Sequence, residues 1–351
     1  MAFDEATDRR CAQIDLGVIR ANLMAYAAAA RVPVLARVDH DAYGHGLLPV
    51  AMTALDAGAE WLGVADLDEA AALRQEGIGA PILVLGTASV TGDAPHRTHV
   101  AVGSAEAAVR AADAGAAGLH LALDCGGAPR AMPLAEAAAL LDEKTDTPVT
   151  GLMGVHGADV SPSVAEARFA EAKRALGDDG RVTHLHGTRG VDAGFGSNDD
   201  LVRIGSGLYG LPDEHGARRG HPALRAAGRV VTVKRVRAGE GVSYGYTYRA
   251  AADGRLALVT GGYAQGIVRS LGNRASVSLN GRRCPIVGRV AMDVCVVDLD
   301  GASAAPGDEV VFLGDPEMGE PDVSEWATAT GLTAAELIVR LASGFQRSHI
   351  S

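Results

Sequence analysis

From about residue 30 to residue 210 the chain alternates short apolar runs with alanine-rich amphipathic stretches. The runs VPVLARVD (32–39), WLGVAD (61–66), PILVLG (81–86), HVAVGS (99–104), GLHLALD (118–124), VTGLMGVHG (149–157), VTHLHGT (182–188) and LVRIGSGLYG (201–210) read as strands. Between them, LLPVAMTALDAGA, DLDEAAALRQEG and SAEAAVRAADAG space their apolar residues three or four apart and end at glycine, as amphipathic helices do. Eight strand-like runs alternating with helices predict a (β/α)8 barrel. An open doubly wound sheet would carry a glycine fingerprint after its first strand, and the GHG at 44–46 is not GxGxxG. Beyond residue 220, RVVTVKRV, RLALVT, ASVSLNG, CPIVGRV, DVCVVDL and DEVVFLG are separated by Gly, Asp and Asn turns, which predicts an antiparallel β domain. One late helix (331–344) is expected to close the chain. The expected division is a barrel domain over 1–220, joined at its end by the C-terminal segment, and a β-rich domain with the late helix over 221–351. A length of 351 residues exceeds one ordinary core and agrees with two.

In a barrel the chemistry lies at the C-terminal ends of the strands. That rule selects Asp39, His40, Asp41 and Tyr43; Asp66; Asp124; His156; His186 and Thr188; and Arg203, Gly205 and Ser206. Any one of these alone reads as a helix cap or a turn residue, but together they exceed what strand termination requires.

Charge and composition narrow the classes. A formal charge of −11 with only scattered arginine pairs (Arg9–Arg10, Arg218–Arg219, Arg282–Arg283) argues against a nucleic-acid partner. No apolar run reaches the ~20 residues that span a bilayer, so no membrane partner is expected. The acidic start MAFDEATDRR has no signal-peptide core, and a cytoplasmic location is expected. Cys11, Cys125, Cys284 and Cys295 show no CxxC spacing and read as reduced thiols. Lysine is scarce: Lys144, Lys173 and Lys234 are all there are. None lies at the end of a predicted barrel strand.

ARVDHDAYGHG (36–46) resembles the signature of the alanine racemases, in which a strand ends in lysine and runs into Tyr-Gly-His-Gly. Further similarity follows in order along nearly the whole chain: WLGVADLDEAAALRQEGI, APILVLG, HLALDCG, LVRIGSGLYG, GVSYG, GGYAQGIVR and NGRRCPIVGRVAMDVCVVDL. The resemblance implies a barrel followed by a β domain, pyridoxal phosphate chemistry on a small-molecule substrate, and a homodimer whose sites are shared between subunits. Carried over by position, Tyr244 matches the catalytic tyrosine, and Met292 and Asp293 the pair near the substrate carboxylate. Arg203 matches the arginine on the pyridine nitrogen. Thr188, Gly205 and Ser206 match the phosphate site, which Tyr43 also reaches. Arg130 corresponds to an arginine near the substrate, across one extra residue around Ala128–Pro129. Tyr263 and Arg269 match the family's GYADG–R segment, and His156 a position on the sixth strand.

The departures cluster at the same site. Asp39 stands where the family's lysine forms the imine, Ala122 where a second lysine stands, Gln265 for the aspartate of GYADG, Ala335 for a tyrosine and Gly187 for an asparagine. A carboxylate cannot form an imine, so no covalent cofactor is expected; non-covalent pyridoxal phosphate is the alternative. Residues two apart on a strand share a face, which puts Arg37 beside Asp39, either holding it ionised, binding an anion, or forming a purely structural ion pair. Tyr244 and Asp39 would then be a pair of proton-transfer groups, with Arg203, Met292 and Asp293 positioning the substrate. Such a pair suits isomerisation, elimination, dehydration or cyclisation of a small anionic metabolite, in keeping with a role in specialised biosynthesis. A non-catalytic ligand-binding homologue and residual amino-acid racemisation are the competing readings. A metal held by His40, Asp39, His156 and His186 has no spacing signature behind it, and none is expected.

Overall fold

The computed structural model describes residues 10–86, 90–143, 147–177 and 179–351. Arg9 and Lys144 lie outside the described residues. The chain forms two compact units, residues 19–208 and residues 1–18 with 209–351. The first strand, β1 (Cys11–Asp15), belongs to the second unit, and the division falls at 208/209 rather than at the expected 220/221.

The first unit is an eight-stranded parallel barrel. Its strands are β2 (Val34–Arg37), β3 (Trp61–Val64), β4 (Ile82–Val84), β5 (Thr98–Val102), β6 (Gly118–Asp124), β7 (Val149–Val155), β8 (Val182–His184) and β9 (Val202–Ile204). They pair in the order β8-β7-β6-β5-β4-β3-β2-β9. A single parallel bridge between Gly187 and Arg203 brings the two end strands together. Each strand coincides with one of the apolar runs, since strands covered on both faces read as nearly continuous apolar stretches. The helices start where side chains satisfy their first amide groups: Asp66 accepts from Glu69 N, Ser104 from Ala107 N, and Ser161, followed by Pro162, from Val164 N.

The second unit is built on β10 (Leu224–Val236), a 13-residue strand. The others are β11 (Gly241–Val242), β12 (Tyr248–Arg249), β13 (Gly254–Thr260), β14 (Ser276–Leu279), β15 (Arg282–Pro285), β16 (Val294–Asp298), β17 (Glu309–Leu313) and β18 (Gln346–Ile350). Strand β10 pairs antiparallel with β1, β13 and β17. The sheet is mixed rather than antiparallel throughout, because β1 pairs parallel with β18. The late helix spans Ala334–Gly344, opened by a Thr333–Glu336 capping box, but it does not close the chain: β18 follows it. QRSHI has no apolar alternation to announce a strand; its pairing with β1 comes from the fold.

Candidate functional site in the barrel mouth

The mouth of the barrel is shaped by an unusual turn. After β2, His40, Asp41, Ala42 and Tyr43 all lie in the left-handed region, with φ between 54° and 55°. Each such residue with a side chain costs about 1–2 kcal/mol, so the turn needs support. It receives it from several sides. Ala42 N donates to Val38 O at 2.8 Å and Gly46 N to Asp41 O at 2.9 Å. Leu47 N donates to the Asp41 carboxylate at 2.8 Å, and the buried His45 places Nδ1 3.0 Å from Ala42 O. Glu69, on the neighbouring helix Leu67–Gln75, accepts from Asp41 N at 2.7 Å and from Ala65 N at 2.8 Å. Burial outweighs those two bonds and leaves the Glu69 carboxyl above its ordinary range.

Asp39 opens this turn and is 4% exposed. Arg37 meets it in a two-pronged ion pair, Nε to Oδ1 at 3.1 Å and Nη2 to Oδ2 at 2.6 Å. The same guanidinium lies 5.9 Å from the centre of the Tyr43 ring. Burial raises the Tyr43 phenol above its ordinary value, so it stays neutral.

A cavity of about 240 Å³ opens beside this pair. Arg37, Tyr43, His156, Thr188, Arg189, Arg203, Gly205 and Ser206 line it, with Val155 and Leu185 as apolar wall. Thr188 Oγ1 accepts from the amides of Gly205 (3.3 Å) and Gly207 (3.1 Å), which ties the β8 loop to the β9 loop. Gly205 leaves the room: a Cβ there would lie 2.8 Å from the Tyr43 hydroxyl and 3.3 Å from Arg37 Cδ. Arg203 is locked in place. Its Nη1 donates to His184 Nδ1 and His184 O, both at 2.7 Å, and its Nη2 to Leu185 O (2.9 Å) and Gly154 O (3.0 Å). Burial lowers its pKa to about 10, so it remains a cation at neutral pH. Arg189 and Arg203, with the Asp39-paired Arg37 beside them, give this small space a positive lining that matches an anion.

The barrel thus gathers Arg37, Asp39, Tyr43, His156, Thr188, Arg203, Gly205 and Ser206. It does not gather all the expected residues. His40 is exposed on the turn, and Arg130 is exposed, its carbonyl packed over Gly103. His186 is buried against Phe195 and does not line the cavity. His40, Asp39, His156 and His186 form no cluster of ligand atoms; among the described residues the one such grouping is His221, Asp315 and Glu317. Cys125 is buried and its thiol pushed up to about 11, which suits packing rather than reactivity. Sequence reasoning missed Arg189, next to Thr188, and Glu69, whose role depends on a turn that no residue pattern reveals.

Tyr244, Tyr263, Met292 and Asp293 belong to the second unit. Tyr244 is 67% exposed and follows Ser243, whose φ of 60° is held by a bond from its hydroxyl to Arg289 O at 2.6 Å. Tyr263 N donates to Ala291 O, and Ala264 N to Met292 O. Gln265 accepts from Gly262 N through Oε1, which turns its Nε2 toward Asp293 Oδ1 at 3.1 Å. Of the lysines, Lys173 sits on the helix Pro162–Leu176 with Nζ on Asn198 O, and Lys234 lies within β10.

Comparison with known proteins finds similarity over nearly the whole chain. Residues 14–213 match the family model of the alanine racemase N-terminal domain, and residues 223–349 that of the C-terminal domain. The alanine racemase of Salinispora arenicola is 36% identical over 94% of this chain and 95% of its own. That of Mycobacterium tuberculosis is 37% identical over 93% of this chain and 92% of its own. The alanine racemase structure from a D-cycloserine-producing Streptomyces lavendulae matches with a TM-score of 0.88 at 33% identity, covering 98% of this chain and 97% of that one.

Proposed function

Because the chain belongs to the alanine racemase family, we propose that it is an enzyme of that family's fold that moves protons on a small anionic substrate without covalently held pyridoxal phosphate. One observation carries this reading: the group at the end of β2 is a buried carboxylate, already bonded twice to Arg37. Covalent attachment needs a primary amine there. Lys173 lies on the helix Pro162–Leu176 and Lys234 within β10, and neither lines the cavity, so the residues present do not fit that attachment, and no step is routed through it.

In this reading the cavity holds the substrate's carboxylate or phosphate through Arg37, Arg203, Thr188, Ser206 and the neutral Tyr43. Gly205 supplies the space and His156 the adjoining wall. Asp39 is the proton acceptor, with its orientation set by Arg37. Tyr244 is the opposing acid. As in the resemblance, it comes from the β unit of a second copy, with Met292, Asp293 and Tyr263 flanking it. His40 and Arg130 lie outside the cavity and are left without a role.

The retained cradle of Thr188, Gly205 and Ser206, together with identities of 36–37% to alanine racemases, favours a second reading. In it the protein holds pyridoxal phosphate non-covalently and retains some amino-acid racemisation. An absorbance spectrum with added pyridoxal phosphate, before and after borohydride and desalting, separates the possibilities. A stable reduced adduct overturns the proposal, since it needs a lysine at the site. A band that washes out, with D-alanine formation lost in Tyr244→Phe, favours the second reading. No band and no racemisation leave cofactor-free proton transfer.

A further inference from the structure

The barrel interior is only partly apolar. Leu35, Leu83, Ala101, Ala122, Met153 and Leu201 form its buried hydrophobic cluster. Beside them a column of imidazoles runs from Arg203 through His184 and His120 toward His99, near the N-terminal ends of the strands. Arg203 Nη1 donates to His184 Nδ1 at 2.7 Å. A guanidinium offers no lone pair, so Nδ1 is the bare nitrogen and a neutral His184 carries its proton on Nε2. That Nε2 lies 2.8 Å from His120 Nδ1. By the same logic His120 Nδ1 is bare and its proton sits on Nε2. His120 Nε2 is fully buried and has no hydrogen-bond partner. Around it are the rings of Trp61 and His99, each with its centre 5.4 Å from that of His120. The backbone is cut to fit this column. A Cβ on Gly151 would come within 2.5–2.6 Å of the His120 ring, and one on Gly118 within 2.7 Å of His99 Nδ1.

We propose that His184 and His120 form a tautomer-locked pair that positions Arg203 at the ligand cavity. The other acceptors of Arg203 are backbone carbonyls, which cannot change state. His184 is the one partner that could, and His120 removes the option by accepting its Nε2–H. A second proton on His184 would set N–H against N–H beside a buried cation. Burial already pushes both imidazoles far down, His120 to about 3, with the Arg203 charge adding to the effect on each. The unbonded Nε2–H of His120 is the cost of ending the chain. That Arg203 faces a bound anion rests on the function proposed above; the tautomers do not.

The test is a long-range 1H–15N correlation spectrum of the full chain labelled with 15N, with the two rings assigned through His120→Asn and His184→Asn. Both should appear as neutral Nε2–H imidazoles that do not titrate between about pH 5 and 8. A protonated Nδ1 or a titration in that window overturns the proposal. Binding of inorganic phosphate supplies the second readout. His120→Leu, which deletes the acceptor, should weaken it about tenfold, and His120→Gln, whose Oε1 can accept, should restore it to within about threefold. Equal binding by the leucine variant and the wild type, or equal loss in both variants, leaves packing alone and overturns the positioning role. Should the wild type not bind phosphate, the anion-site reading fails, while its spectrum still decides the tautomers. The wild-type spectrum also decides them should the leucine variant fail to fold.

Discussion

Around the barrel cavity each charged side chain is held by named partners: Asp39 by both prongs of Arg37, Arg203 by three carbonyls and a histidine. In the β unit the arrangement is the reverse. The backbone around Tyr244, Tyr263 and Met292 is tied down, but the side chains stand 67%, 44% and 55% exposed. The contrast teaches a division of labour. The charged side chains at the barrel cavity are fixed by contacts within one chain, while Tyr244 and Tyr263 of the β unit are held through their backbone.

The largest test of this contrast is Arg37→Met. Breaking a buried ion pair costs about 3–5 kcal/mol, but the Arg37 side chain is 36% exposed, so we expect about 2–3 kcal/mol in urea denaturation, with anion binding lost. Arg37→Met combined with Asp39→Leu should recover most of the stability and none of the binding. Unchanged binding in the single variant would reduce the pair to a structural one. Gly151→Ala comes next, at about 1–3 kcal/mol, because its Cβ overlaps the His120 ring.

Acid should separate the two units by pH. Unfolded His120 and His184 take up protons near the ordinary imidazole value of 6.5, whereas in the folded barrel His120 does so only near 3. The unfolded state binds more protons in between, so barrel stability falls as pH drops below about 6.5. His120→Leu should flatten that slope between about pH 7 and 5. In the β unit, burial raises the Asp322 carboxyl, but bonds from Ser324 and Arg218 prevail and hold it below its ordinary 3.8. Its stabilisation is complete above that value and is lost only as pH falls further. A wild-type unfolding curve flat from about pH 7 to 5 would break this comparison. The smallest expected effect is Tyr244→Phe: within about 0.5 kcal/mol in stability and no change in phosphate binding, yet turnover abolished. A fully active Tyr244→Phe would remove the tyrosine from the mechanism.

Much of the fold was legible in the residue pattern. Eight apolar runs became eight barrel strands, because strands covered on both faces are mostly apolar. Strands β1 and β18 were not legible: QRSHI is mostly exposed and owes its conformation to its pairing with β1. At the site, the rule that barrel chemistry lies at strand ends found Asp39, Tyr43, His156, Thr188, Arg203, Gly205 and Ser206. It also selected His40, which the left-handed turn leaves exposed. It passed over Glu69, which acts on that turn from a helix, and His120, which lies in mid-strand among apolar neighbours.

What the sequence determined by itself is therefore the set of elements and the chemical inventory: hydrophobic period dictates strands and helices, and three lysines limit which amines could serve a cofactor. What only the tertiary structure decided is which inventory members meet. Four consecutive left-handed residues, a glycine facing an imidazole, and a carboxylate clasped by the arginine two residues before it are consequences of packing. They depend on groups brought together from distant parts of the chain, such as Glu69 against Asp41 and Arg203 against His184, and local pattern carries no record of those encounters.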